Sequence, residues 1–281
     1  MIKKETILHS QHNRRPFSLD YRYLANSKQK PVVLFVHGFK GFKDILQNNL
    51  IADHMAEAGF VYVKMNLSHN GVTPEHPEEF VDLEAFANNN FSIELDDIGV
   101  VIDHICSQEL SIKSDEIDWS ELYLIGHSRG GAVSILKACQ DTRVKKLVTW
   151  AAVPDLETFW SEDFLKEWKT KRVQHIKNVR THQDMPLNYQ IVENFEKNPD
   201  RFRIAKQLPK LNIPFLAMHG TADETVPVEA LLMLKSGYPA LETYRIDGAG
   251  HTFGGKHPWV KPELPKHSVL LVERMIDFLK N

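Results

Sequence analysis

Ser128 lies in the run Leu124-Ile125-Gly126-His127-Ser128-Arg129-Gly130-Gly131, where three glycines crowd one hydroxyl. A serine hydroxyl is a weak nucleophile until a neighbouring base takes its proton. The spacing Gly126-x-Ser128-x-Gly130 is that of a nucleophile elbow. In such an elbow a sharp strand-to-helix turn strains the serine backbone and lifts its Oγ above a sheet. Side chains at 126 and 130 would collide with the adjoining strand and helix, so glycine stands there. Gly131 is read as letting the next helix pack close to the sheet. An apolar run precedes the motif and a helix-like run follows it, which is the context the motif requires.

A nucleophile of this kind needs a base, and the base needs an acid to orient it. Downstream, "MHGTADETVP" places Asp223 just past an apolar run and ahead of Pro227. "IDGAGHTF" places His251 in a glycine-rich loop after the last strand-like run. Both positions fall beyond the C-terminal ends of strands, where open α/β sheets build their sites. Ser128, Asp223 and His251 are therefore expected to form a catalytic triad. Glu224 and Asp155 are competing acids. Asp223 is preferred because it stands between a strand end and a helix start. Asp247 is read as lying on the strand itself, too near His251 in sequence. Of the 14 histidines, His37 and His219 are read as loop-packing residues and His127 as a neighbour that lines the site. No His-x-x-x-His pair with a carboxylate at ligand spacing occurs, so no metal is expected.

The elements that must hold these residues follow from periodicity. Residues 5–25 read as an antiparallel hairpin turning at "HNRRP". Continuous apolar runs at 31–38, 60–68, 121–128, 145–153 and 213–220 suit strands buried on both faces. A more polar strand at 241–251 belongs toward an edge. Helical patterns cover 45–58 (stopping at Gly59), 92–107, 129–140, 227–236 (opening at Pro227) and 267–280. Ser92 is expected as the N-cap of the second of these. Glu94, Asp96 and Asp97 are set there against the positive helix end. Strands alternating with helices give an α/β fold with a mostly parallel central sheet covered on both faces.

Residues 154–208 break the alternation and hold Phe159, Trp160, Phe164, Trp168, Tyr189, Phe195 and Phe202. Helices are expected over 155–170 and 187–207, with a small hairpin turning at Asn178-Val179 between them. The segment reads as a cap inserted into a core of 1–153 and 209–281. Its aromatic residues read as the cap's own core, and none is expected to contact substrate.

The segments "HGF", "GHSRGG", "HGTADETVP" and "GAGH" together resemble the α/β-hydrolase superfamily. Within it the chain is similar to small serine hydrolases of the acylaminoacyl-peptidase-like and dienelactone-hydrolase-like kinds. Microbial cinnamoyl or feruloyl carboxylesterases are a near comparison. The resemblance covers nearly the whole chain and bears on fold and catalytic machinery, not on substrate. True acylaminoacyl peptidases carry a large N-terminal propeller, for which this chain has no room, so ester cleavage is the expectation. The resemblance implies an oxyanion hole built from two backbone amides. One is that of Arg129, after the nucleophile, and the other is that of Phe39 in "VHGFKGFKD", with Gly38 allowing close approach. Dehalogenases and epoxide hydrolases of this fold carry an aspartate where this chain has Ser128.

Composition narrows the rest. A chain of 281 residues buries roughly 75% of its unfolded surface and needs no staples. The net charge is −3 with basic residues dispersed, which favours neither nucleic acid nor an anionic membrane as partner. Cys106 and Cys139 both fall in helical patterns and read as buried, unpaired thiols. The N-terminal "MIKKETILHSQHNRRP" lacks an apolar stretch, and no run approaches the roughly 20 apolar residues of a membrane span. The expectation is a cytoplasmic serine esterase, monomer or homodimer, without cofactor. It would cleave a small-molecule carboxylic ester through an acyl-enzyme. An acyltransferase, an acylamide hydrolase, a cofactor-free oxidase of the haloperoxidase type and a non-catalytic ligand-binding homologue are the alternatives.

Overall fold

An uninterrupted apolar strand must be covered on both faces, and Val32–Val36 shows how. In the computed structural model, which describes residues 1–157 and 160–281, Val32, Leu34 and Val36 pack into one core. Val33 and Phe35 pack into a second core on the opposite face, as the two-residue period of a strand dictates. The central sheet has eight strands: β1 (Ile2–His9), β2 (Pro16–Tyr23), β3 (Pro31–Val36), β4 (Val61–Met65), β5 (Asp118–His127), β6 (Val144–Trp150), β9 (Phe215–Gly220) and β10 (Glu242–Ile246). Their spatial order is β1-β2-β4-β3-β5-β6-β9-β10. The strands from β4 to β10 are parallel, and the β1–β2 hairpin pairs antiparallel onto β4.

Helices α3 (Phe91–Cys106), α4 (Arg129–Gln140) and α9 (Ala230–Gly237) supply apolar residues to the first core. Helices α1 (Asn48–Glu57) and α10 (Lys266–Lys280) supply the second. Between β6 and β9 the chain leaves the sheet. It forms α5 (Glu162–Lys171), a separate antiparallel pair β7 (Val173–Lys177) and β8 (Asp184–Asn188), and the short helices α6 (Gln190–Lys197), α7 (Pro199–Phe202) and α8 (Ile204–Gln207). Trp168 is fully buried there, donating its indole N–H to the Leu187 carbonyl at 2.7 Å. The hairpin and its two flanking helical regions are as expected. The turn is wider than an Asn178-Val179 bend: a loop over 178–183 closes with the Asn178 amide donating to the Gln183 carbonyl. Phe159 lies outside the described residues.

Other expectations need correction. The N-cap of α3 is Asn90, not Ser92: its backbone is extended and its side chain accepts the Ile93 amide. Ser92 is already helical, and its amide donates to Asn194 of α6. Glu94 does not sit at the solvated helix end but turns inward to a buried arginine. A further short helix, α2 (Leu83–Ala87), is capped by Asp82. Pro227 forms a turn ahead of α9, which begins at Ala230. Cys106 and Cys139 are unpaired but only half-buried. Among the described residues no helix is long and apolar enough to cross a membrane.

Candidate active site

The elbow forms because β5 must turn directly into α4. Ser128 takes φ +56° and ψ −124°, a strained conformation for a residue with a Cβ. A Cβ at Gly126 would stand 2.3 Å from the Gly130 oxygen, and one at Gly130 would stand 2.3 Å from the His37 oxygen. One at Gly131 would meet the Ala152 Cβ at 2.7 Å, so that glycine does bring α4 close to the sheet. The Ser128 amide donates to Trp150 at 3.0 Å, which ties the turn to the neighbouring strand.

The three residues singled out in the sequence meet at the C-terminal ends of β5, β9 and β10. His251 Nε2 stands 3.0 Å from Ser128 Oγ, and His251 Nδ1 stands 2.8 Å from Asp223 Oδ2. With Nδ1–H donating to the carboxylate, Nε2 is left as the acceptor for the serine proton. Asp223 Oδ1 accepts the amides of Thr225 and Val226, each at 2.9 Å. Burial alone would raise this carboxyl's pKa. Hydrogen bonds from His219, His251 and the Val226 amide reverse that and hold it well below the usual carboxylate range.

His219 was read as a loop-packing residue, and it does pack the loop, donating from Nε2 to the Val226 carbonyl at 2.9 Å. The same nitrogen also lies 3.3 Å from Asp223 Oδ2, so the ring helps to solvate the acid. The signal was its place four residues ahead of Asp223 at a strand end. The competing acids are engaged elsewhere. Asp155 accepts the Glu157 amide, and Glu224 is exposed. Asp247 accepts from Thr221 Oγ1 just beyond β10, rather than lying on the strand.

The backbone amides expected to form an oxyanion hole, those of Phe39 and Arg129, are oriented from behind. A peptide N–H points opposite to the carbonyl of the preceding residue in the same plane. The Gly38 carbonyl is held by His37 Nδ1 at 2.9 Å and by the Gly41 amide at 3.1 Å, which fixes the plane carrying the Phe39 N–H. The Ser128 carbonyl accepts from the Gly131, Ala132 and Val153 amides at 3.0, 3.3 and 3.4 Å, which fixes the Arg129 N–H. His37 is fully buried, and burial pushes its imidazole down to about 4. It is thus neutral near pH 7, with Nδ1 as donor and Nε2 accepting the Leu67 amide. His127 lines the cleft as expected.

One cavity adjoins the hydroxyl, and a second lies next to it. A cleft of about 290 Å³ runs between the loop at Gly38–Gly41, Ser128, His251 and the 178–180 tip of the hairpin loop. A larger cavity of about 380 Å³ lies on the far side of Phe39, which lines both. Its walls are Phe91, Trp160, Phe164, Ile176 and Leu187, with the buried Arg129 beside them. Trp160 and Phe164 thus line a cavity while also packing against the core. Helical spacing does not distinguish the two roles. Among the described residues no cluster of three or more His, Cys, Asp or Glu side chains could hold a metal ion.

Comparison with known proteins agrees with this architecture. The structure is similar to Est1E from Butyrivibrio proteoclasticus, with a TM-score of 0.71, 18% identity, and 98% of this chain and 97% of that one covered. Est1E with ferulic acid bound gives 0.68 and 17%, over 99% and 94%. A complex of DcsB with its substrate analogue gives 0.74 and 14%, over 99% of each chain. At such identities the likeness is one of fold. No curated protein matches the sequence. A family model described as the alpha/beta hydrolase fold matches residues 31–172, about half of the chain, and the chain belongs to that family.

Proposed function

We propose that this protein is a serine hydrolase that cleaves a small carboxylic ester through an acyl-enzyme. The observation that carries the reading is the continuous relay from Asp223 Oδ2 through His251 to Ser128 Oγ, with separations of 2.8 and 3.0 Å. Ser128 Oγ attacks the ester carbonyl carbon as its proton passes to His251 Nε2. The carbonyl π electrons move onto oxygen, and the Phe39 and Arg129 amides receive that charge. Collapse of the tetrahedral intermediate expels the alkoxide, which takes the proton back from Nε2. Water then repeats the sequence on the acyl-serine, releasing the carboxylic acid and restoring Ser128. Asp223 stays ionised throughout, holding the imidazole in its working tautomer and stabilising the transient imidazolium.

Residues 154–208 act in this reading as a cap that closes the aromatic cavity over one arm of the ester. The walls around Trp160, Phe164 and Phe91 favour an apolar or aromatic group there, the class to which Est1E's ligand ferulic acid belongs. The test is labelling of the full chain with a fluorophosphonate, together with hydrolysis of 4-nitrophenyl esters. Ser128 is expected to carry the label, and Ser128→Ala to lose both label and turnover. Full esterase activity in Ser128→Ala would overturn the reading.

A further inference from the structure

We infer that Glu94 is a positioning residue for the oxyanion hole, acting through Arg129 to fix both backbone donors at once. The inference rests on the serine-hydrolase reading, which assigns those donors to Phe39 and Arg129. The structural relationship is a buried brace. Arg129 Nη2 donates to Glu94 Oε1 at 2.5 Å, and Arg129 Nε stands 3.3 Å from Oε2. Their side chains are only 7% and 4% exposed. Glu94 Oε1 also accepts from Asn89 Nδ2 at 2.7 Å, so the carboxylate is itself anchored. The guanidinium carbon lies 4.9 Å from the centre of the Phe39 ring and 5.0 Å from that of Phe91. Phe86 stacks against the Phe39 ring at 5.5 Å.

A buried ion pair is a weak source of stability, because desolvating both charges consumes most of what their attraction returns. Apolar residues of the same volume would fill the place as well. What the pair supplies is geometry. A guanidinium forked onto a carboxylate has a fixed plane, and a fixed plane gives an aromatic ring a defined seat. Residue 129 owns one oxyanion amide, and its side chain grips the ring of residue 39, which owns the other. Phe39 is 36% exposed and sits in a loop: the Gly38 carbonyl's bonds set the plane of its amide, and the seat of its ring on Arg129 sets where that plane stands. Donors aimed at an oxyanion must keep their place to within about 0.5 Å.

The experiment compares the unmodified protein with Glu94→Gln and with the double variant Glu94→Leu/Arg129→Met. The substrate is 4-nitrophenyl acetate, whose acetyl group is too small to fill the aromatic cavity. The double variant removes both charges together and is expected to melt within a few degrees of the unmodified protein. Its kcat is expected to fall about 10²-fold with KM changed less than about threefold, as for loss of one oxyanion donor. Affinity for a trifluoromethyl ketone, which forms the tetrahedral adduct, should fall by the same factor. Glu94→Gln keeps an acceptor and the shape but loses the charge, and should lose about three- to tenfold in kcat and in ketone affinity alike. A folded double variant with unmodified kcat and ketone affinity would overturn the inference, as would a loss confined to KM. If the double variant does not fold, Glu94→Gln decides: a parallel loss in kcat and ketone affinity supports the brace, and unmodified values sink it. Failure of a fluorophosphonate to label Ser128 in the unmodified protein removes the hydrolase reading and this inference together. Normal labelling with undiminished turnover in the double variant removes the inference alone.

Discussion

His127 Nε2 stands 3.0 Å from the main-chain oxygen of His251, and the two rings lie 4.9 Å apart. The residue before Ser128 thus grips the backbone of the residue that faces Ser128. Burial pushes the His127 imidazole down to about 3, so the ring is neutral and its one N–H is committed to that carbonyl. The elbow and the histidine loop, separated by more than a hundred residues, are tied together by this contact.

Gly38 stands against Ser128 itself. A Cβ there would lie 3.0 Å from Ser128 Cβ and 3.1 Å from the His127 oxygen. Gly38→Ala is expected to push the loop and its Phe39 amide away by a few tenths of an ångström. Turnover of 4-nitrophenyl acetate should drop about tenfold to 10²-fold, since small misplacements are costly at a reacting centre. Unfolding temperature should move little, because the loop lies at the surface edge of the core. Steady-state kinetics and a thermal melt on one preparation check both halves.

Stability should decline on mild acidification. Burial holds His37 and His69 down at about 4 and His127 at about 3, all below the free value of 6.5. The unfolded chain therefore takes up protons first, and each histidine's contribution is complete above about pH 6.5 and fades as pH falls through its folded value. For His37 the span is on the order of 3 kcal/mol. Asp97, raised by burial to about 6, works in the opposite sense between its folded and free values. The discriminating measurement is therefore a difference. Urea unfolding from pH 7.5 to 4.5 should show a shallower decline in His37→Asn, whose amide can replace the Nδ1–H bond to Gly38. Equal slopes would contradict the assignment of a neutral buried His37.

The aromatic cavity should set substrate size. Ile176 lies on its wall, half-buried, so a larger side chain there can fill the void without invading the sheet core. Ile176→Trp is expected to lower kcat/KM for aryl or octanoyl esters by about tenfold or more while leaving acetyl esters within about twofold. A uniform fall across the ester series would show that the cavity does not receive the substrate.

Much of this protein was legible before any tertiary contact was known. The five continuous apolar runs suited strands covered on both faces, and glycine at 126 and 130, in the context of a strand before and a helix after, pointed to a turn too tight for a Cβ. The order Ser128, Asp223, His251, each past a strand end, followed from local pattern alone. What local pattern could not supply was the direction in which side chains turn once elements pack. Glu94 looked like a charge answering a helix end, yet it points into the core because Arg129 arrives there from another helix. Ser92 looked like a cap, but Asn90 takes that place because its own backbone is extended. His219 belongs to the acid's surroundings only because the turn to Val226 folds back over it. Trp160 and Phe164 carry the same helical spacing as Trp168, and only packing left two of them lining a void and buried the third. Periodicity records which face of an element is apolar, so the sequence determined the sheet, the elbow and the positions of Ser128, Asp223 and His251 past strand ends. Partners distant in sequence meet only through the fold, so the tertiary structure decided the brace, the acid's donors and the cavity.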